Sequence, residues 1–358
     1  MFIEYYHLYI WVFVNALFLS YISTNLILRL AIRIQFVDYP DERKIHQEPM
    51  PYMGGVAVIL SVIISMSTIF VFEKDLMNDY IQLSFGILMG TIIILVVGLI
   101  DDLRGSTAKI KFLTQIGASW IVFLFGVRID FIGIPLTDYT VNFPVYISWF
   151  FTVLWIVGIT NAINLIDGLD GLAAGITAIS AFTLFVSSIV KGDVFLALLM
   201  ISLVGAIFGF LKYNFNPAKI FLGDAGSLAF GFILGIVSVM NFNKSVTMIS
   251  LMIPLTALAI PIIDTMGAIV RRFRLKENIF KADKKHIHHR LLDIGLTHKQ
   301  VVLLLYFISL DLSIAGMMFL RLPRFYLRAA VCLLTTTTAV LLLIARSIIS
   351  YKKKGKII

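Results

Sequence analysis

The chain has 358 residues, 59% hydrophobic and 14% charged, with a mean hydropathy of +0.94. Soluble domains carry roughly 25% charged residues, so the composition excludes a soluble protein built around one large core. The net charge of +9 comes with no soluble basic domain, and so it does not argue for a nucleic-acid partner.

Apolar runs near or above ~18 residues recur along the whole length. They do not alternate with a period of two, as the strands of a membrane β-barrel would. The prediction is an all-α, polytopic integral membrane protein of about 11 transmembrane helices, forming a single domain over 1–358. In chain order the expected spans are 8–34, 53–72, 81–100, 108–127, 145–163, 169–190, 194–211, 225–241, 246–270, 299–320 and 325–349. The first run is too long, and too poor in basic residues at its start, for a cleavable signal. The single cysteine, Cys332, reads as a packing residue in the last run. No internal repeat stands out.

The connections alternate between two sides. One set contains Arg29, Arg33, Arg43 and Lys44, then Arg104, Lys109 and Lys111, then Lys212 and Lys219. It continues with the basic stretch 271–299 and the C-terminal tail. The other set is far poorer, with Lys74, Arg128, Lys191 and Lys244 among its few basic residues. By the positive-inside rule the rich side is cytoplasmic. This predicts the N-terminus outside and the C-terminus inside.

Five polar clusters fall on that cytoplasmic side. In "RKIHQEPMPYMGG" (43–55), Lys44 and His46 precede a Pro/Gly-rich helix entry. They serve as topology signals and as secondary phosphate contacts. In "GLIDDLRGSTAKIKF" (98–112), Asp101 and Asp102 follow an apolar run. Paired acids at a helix C-terminus oppose the macrodipole. They suit Mg²⁺ or a base facing a phosphate.

In "NAINLIDGLDG" (161–171), Asn161, Asn164, Asp167 and Asp170 recur every third position. Steps of three drift by about −60° around a helix, so these residues do not share one face. Gly168 and Gly171 imply that the helix loosens here and lets the side chains converge. In "KYNFNPAKIFLGDAGS" (212–227), Asp224 reads both as a helix cap and as a hard-oxygen Mg²⁺ ligand beside a phosphate-holding helix N-terminus. Asn214 and Phe221 offer an amide and an aromatic face to a nucleobase. In "KKHIHHR" (284–290), His286, His288 and His289 are too closely spaced for the usual helical zinc pair. With Arg290 they can donate to diphosphate oxygens, unless the run is simply a solvated basic loop.

These motifs, in this order, resemble the polyprenyl-phosphate N-acetylhexosamine-1-phosphate transferases. The resemblance runs from "RKIHQEPMPYMGG" to "HIHHR" and so covers most of the chain. It implies a multi-pass enzyme of the cytoplasmic membrane with its site facing the cytoplasm. A polyprenyl phosphate, such as undecaprenyl phosphate, would attack the β-phosphorus of UDP-N-acetylglucosamine and release UMP. This is the first membrane step of an envelope polysaccharide such as teichoic acid or O-antigen. By similarity Asp224 ligates Mg²⁺, for which Mn²⁺ can substitute, with Asn164 close by. Asp101 or Asp102 acts as base or orients the lipid phosphate, and Lys111 contacts phosphate. Asp167 and Asp170 belong to the catalytic set. Asn161, Asn214, Phe221 and Gly168 lie on the nucleoside-sugar side, and His286, His288, His289 and Arg290 close over the diphosphate. "HIHHR" is similar to the N-acetylglucosamine-1-phosphate branch, whereas the phospho-N-acetylmuramoyl-pentapeptide transferases carry three consecutive histidines there. Gly105 stands where the family's acidic motif often has a third Asp; the pair is intact, and the departure bears only on a third-carboxylate role. A homodimer is compatible with the resemblance, and the sequence picks out no interface. The rival from another class is a secondary transporter, which would place its acids near mid-membrane and commonly show repeats.

Overall fold

The computed structural model describes residues 2–38, 49–133, 140–243, 249–276 and 286–318. Lys44, His46, Cys332 and the expected span 325–349 lie outside the described residues.

The first half comprises α1 (Phe2–Arg33), α2 (Gly54–Phe72), α3 (Lys74–Met77), α4 (Ile81–Arg104), α5 (Ala108–Leu124) and α6 (Val145–Ile166). The second comprises α7 (Leu172–Lys191), α8 (Val194–Asn214), α9 (Gly223–Asn243), α10 (Ile249–Ala257), α11 (Ala259–Arg274), α12 (Ile287–Asp293) and α13 (His298–Met318). Two short antiparallel ribbons sit on connections: β1 (Val37–Asp38) with β2 (Met50–Pro51), and β3 (Phe131–Gly133) with β4 (Thr140–Asn142).

Among the described residues, eight helical segments are long and apolar enough to cross a membrane. They correspond to eight of the expected spans. The expected span 108–127 is α5, a helix of 17 residues. The expected span 246–270 is broken at Leu258 into α10 and α11. Pro261 explains the break: it has no N–H to donate to the carbonyl of Ala257, and its ring crowds that carbonyl.

The bundle is built around α8 and α9. Of their apolar windows, 89% and 83% are enclosed by protein, against 22% for α1 and 33% for the segment that ends in α4. Ile10, Phe18, Phe85 and Leu103 are exposed on those outer helices, as expected of surfaces that face lipid acyl chains. Lipid supplies no hydrophobic drive between helices, so small residues that let backbones approach do much of the packing. Gly205 and Gly209, one turn apart on α8, lie so close to α1 that a Cβ on either would collide with its backbone. Gly55 on α2 and Gly98 on α4 likewise leave room for Gly226 and Ala225 at the start of α9. These two contacts draw three helix ends into one place.

Local chemistry ends the helices there. Gly105 stops α4 with φ +69°, a conformation costly for other residues. Thr107 then caps α5, its hydroxyl accepting the Ile110 N–H at 3.4 Å. At the far end of the bundle Asp193 caps α8 by accepting the Leu196 N–H at 3.0 Å.

Candidate active site

The C-terminal ends of α4, α6 and α8 and the N-terminal ends of α9 and α13 open on a common cavity of about 690 Å³. Asp101 and Asp102, the stretch Asp167–Asp170, Asn214, Phe221 and Asp224 all line it, together with His289 of α12. Four of the five expected clusters contribute expected residues to this lining. The first cluster contributes Met50 and Tyr52, and Asp38 stands beside them.

The central feature is Lys111. Its ammonium lies 2.9 Å from Asp101 Oδ2 and 2.8 Å from Asp224 Oδ2, and so ties α4, α5 and α9 together. Asp101 Oδ1 also accepts the backbone N–H and the hydroxyl of Ser106, both at 2.6 Å. The turn at Gly105 makes that possible by folding Ser106 back over the end of α4.

The two adjacent acids do different jobs. Asp102 turns away from Lys111. Its carboxylate accepts the backbone N–H of Asp224 at 2.8 Å and that of Ala225 at 3.1 Å. It is the N-terminal cap of α9, supplied from another helix, and it satisfies two donors that a helix start leaves open. Asp224, expected from its sequence position to be that cap, leaves its own carboxylate facing the cavity.

Asn164 donates its Nδ2 to Asp224 Oδ1 at 3.0 Å and to Ser227 Oγ at 2.9 Å. Asn161, one step earlier, points elsewhere, as the drift of a three-residue step requires. It donates to Gln115 Oε1 at 2.5 Å and to the Val157 carbonyl at 2.8 Å. It is absent from the cavity lining and braces α6 against α5. Gln115, 1% exposed, is its buried partner, and no motif marks it in the sequence.

Past Ile166 the chain leaves the helix, as Gly168 and Gly171 lead one to expect. Asp167 is left on the cavity wall with no hydrogen-bond partner for its carboxylate among the described residues. Burial, then the negative charges of Asp224, Asp102 and Asp170, push its carboxyl well above the usual range. Asp170 is committed to structure. Its Oδ2 accepts Asn216 Nδ2 at 3.0 Å and the Ala218 N–H at 3.1 Å. Asn214 is also committed: Oδ1 accepts the Gly171 N–H at 3.1 Å and Nδ2 donates to the Ile220 carbonyl at 2.9 Å. Both residues line the cavity by fixing the loop that carries Phe221. Phe221 packs its ring 6.3 Å from that of Tyr52. Burial, with Asp38 as hydrogen-bond acceptor, pushes the Tyr52 phenol up.

The histidines divide. His289 lines the cavity. His288 is 2% exposed, and neither ring nitrogen has a hydrogen-bond partner among the described residues. It lies directly on Gly168, where a Cβ would collide with its Nε2. Burial, then the neighbouring His289 and His286, lower its pKa to about 4. His286 is 5% exposed and bonded to Asp264. Arg290 is exposed on α12 and is not part of the lining. His298 at the start of α13 lines the cavity instead and accepts the Asp170 N–H at 2.9 Å. Nothing in "LTHKQ" marks it.

Among the described residues no three His, Cys, Asp or Glu side chains gather into a preformed metal cage. Mg²⁺ rarely needs one, since it is held by one or two carboxylates with waters and substrate phosphates. The all-oxygen set of Asp224, Asp167 and the Oδ1 of Asn164 fits that chemistry and is a poor match for zinc.

Architecture and cavity together describe a helical, multi-pass membrane protein with an acid- and histidine-lined chamber at one end of its bundle. The family model described as glycosyl transferase family 4 matches residues 84–242. A Bacillus subtilis (strain 168) protein named probable undecaprenyl-phosphate N-acetylglucosaminyl 1-phosphate transferase is 40% identical over 305 residues, covering 85% of this chain and 83% of that protein. The decaprenyl-phosphate N-acetylglucosaminephosphotransferase of Mycobacterium leprae (strain TN) is 36% identical over 316 residues, covering 82% and 79%. A phospho-N-acetylmuramoyl-pentapeptide-transferase of Staphylococcus aureus (strain MSSA476) is 35% identical over 287 residues, covering 75% and 84%. The chain belongs to glycosyl transferase family 4.

Proposed function

We propose that this protein transfers N-acetylglucosamine-1-phosphate from UDP-N-acetylglucosamine to undecaprenyl phosphate, or a similar polyprenyl phosphate, releasing UMP. One observation carries the reading: Lys111 bridges Asp101 and Asp224, two acids that line a polar cavity at the helix ends. A soluble anionic donor and a lipid-anchored anionic acceptor can meet only where the hydrocarbon stops.

In the reaction an acceptor phosphate oxygen attacks the β-phosphorus of the donor. A new P–O bond forms, and the bond to the UMP oxygen breaks. Lys111 neutralises the meeting phosphates and moves between carboxylate and phosphate partners. Asp101, held by Ser106 and Lys111, orients the acceptor phosphate and takes its proton if it arrives protonated. Asp102 keeps α9 in register so that Asp224 and Asn164 face the donor diphosphate. Phe221 and Tyr52 supply apolar surface for the nucleoside, and His289 donates to diphosphate or sugar. Asp224, Asp167 and Asn164 would hold Mg²⁺, which supplies charge neutralisation of the diphosphate and the leaving UMP. Direct attack is the mechanism proposed, without a phospho-enzyme. A phosphorylated protein trapped with labelled donor in the absence of lipid would overturn it.

The basic residues of the connections support a cytoplasmic position for the cavity, with the N-terminus outside and 11 spans in one domain. The transporter reading loses ground because the polar groups sit at helix ends rather than midway along them. The Staphylococcus relative keeps the muramoyl-pentapeptide donor as the competitor within the family.

The experiment is UMP release by purified protein in detergent with Mg²⁺, undecaprenyl phosphate and UDP-N-acetylglucosamine, beside Asp224→Ala. UMP that depends on lipid and is lost in the variant is the expected result. UMP with the muramoyl-pentapeptide donor alone would select the competitor.

A further inference from the structure

Asp264 takes no part in the proposed chemistry. It sits within α11, ten residues before the helix ends, in the stretch "PIIDTMG". An acid inside a membrane helix is costly and is normally paired or functional. Here it is 3% exposed and doubly engaged. Its Oδ2 lies 2.7 Å from His286 Nδ1, and its Oδ1 accepts the Ile287 N–H at 2.8 Å. Both contacts fall on the first residues of the α12 segment, across 22 and 23 positions of sequence.

That grip sets up a row of rings. His286 stacks on His288 with centroids 5.8 Å apart and planes 4° from parallel. His288 lies 4.2 Å from His289, which faces the cavity. On its other side His288 rests on Gly168, next to Asp167. α12 has only 7 residues, too few to hold itself helical in isolation. Its placement must come from outside, and Asp264 supplies a two-point attachment.

We infer that Asp264 is a positioning residue for the transfer reaction, clamping His286 and Ile287 so that His289 is presented to the donor. The bond to Nδ1 also fixes which nitrogen of His286 carries the proton, because an ionised carboxylate only accepts. Asp264 does not line the cavity. It acts through α12, and the inference therefore rests on the proposed transferase activity.

The test uses the full chain in detergent with Asp264→Ala and Asp264→Leu, the latter keeping the branched shape of the side chain without its oxygens. Two things are measured: steady-state UMP release, and hydrogen exchange over 287–293, 101–106 and 223–228. The expected result is at least a tenfold fall in kcat/KM for UDP-N-acetylglucosamine, with KM for undecaprenyl phosphate within twofold of wild type. Exchange should quicken in 287–293 and stay unchanged in the other two segments. Full donor kcat/KM in both variants overturns the inference. So does unchanged exchange over 287–293, or a rise spread over all three segments. If wild-type protein releases no UMP from any UDP-sugar, the transferase reading fails by itself, and exchange in the variants still decides whether Asp264 holds α12.

Discussion

Asp102 on α4 accepts the backbone N–H of Asp224 on α9 at 2.8 Å, while Asp101, its neighbour, binds Lys111 at 2.9 Å. One acid therefore holds the start of α9, and the other pairs with the lysine. Replacing a cap residue by Ala costs about 0.5–2 kcal/mol, so Asp102→Ala should lower thermal stability in detergent more than Asp101→Ala. Both should lose UMP release. Equal melting temperatures for the two variants would contradict this division.

Lys111 balances two carboxylates that its removal would leave facing each other. Losing one partner of a buried charge cluster costs about 3–5 kcal/mol when fully enclosed. Lys111 is 23% exposed, so a smaller loss of stability is expected. Activity should suffer more than stability, with Lys111→Met at least a hundredfold slower in UMP release. Retention of more than a tenth of wild-type rate would remove Lys111 from the phosphate path.

Metal dependence is expected from the oxygen donors around Asp224. A chelator should abolish UMP release, and Mg²⁺ or Mn²⁺ should restore it. Asp224→Asn should need at least tenfold more Mg²⁺ for half-maximal rate, if it turns over at all. An unchanged Mg²⁺ requirement in an active Asp224→Asn protein would move the ligand role elsewhere.

Gly168 has a steric task that its motif does not reveal. Gly168→Ala should displace His288, because a Cβ there meets Nε2. The expected outcome is loss of activity with faster hydrogen exchange in α12. Gly117, where a Cβ meets nothing within 4 Å, is the control. Gly117→Ala should be neutral or stabilise by about 0.5–1 kcal/mol.

His288 should make the protein sensitive to acid. Its pKa falls from the ordinary 6.5 to about 4 in the fold, so the folded state binds fewer protons than the unfolded one between those values. The stabilising contribution is complete above pH 6.5 and is lost as pH falls toward 4, on the order of 3 kcal/mol at full extent. Melting temperature should drop over that window, and His288→Gln should flatten the drop. A slope identical to wild type would show that His288 titrates normally.

The class of protein, and many of the residues that line its cavity, are legible in the amino-acid sequence. Apolar runs of span length admit one physical solution in lipid, because each segment must satisfy its own backbone hydrogen bonds. Costly acids and amides at the ends of those runs read as functional for the same reason. Asp101, Asp167, Asp224 and His289 are legible in this way and do line one cavity. The division of labour is not legible. Asp101 and Asp102 are adjacent in sequence, and only the approach of α9 makes one a cap and the other a partner of Lys111. Asn161 and Asn164 look alike in "NAIN", yet one turns to Gln115 and the other to Asp224. Asp264 finds its partners only where α12 folds back upon α11. The partners lie from 10 positions away, for Asp101 and Lys111, to 122, for Asp102 and Asp224. Local pattern reports what a residue costs to bury, and packing alone decides which distant group offsets that cost.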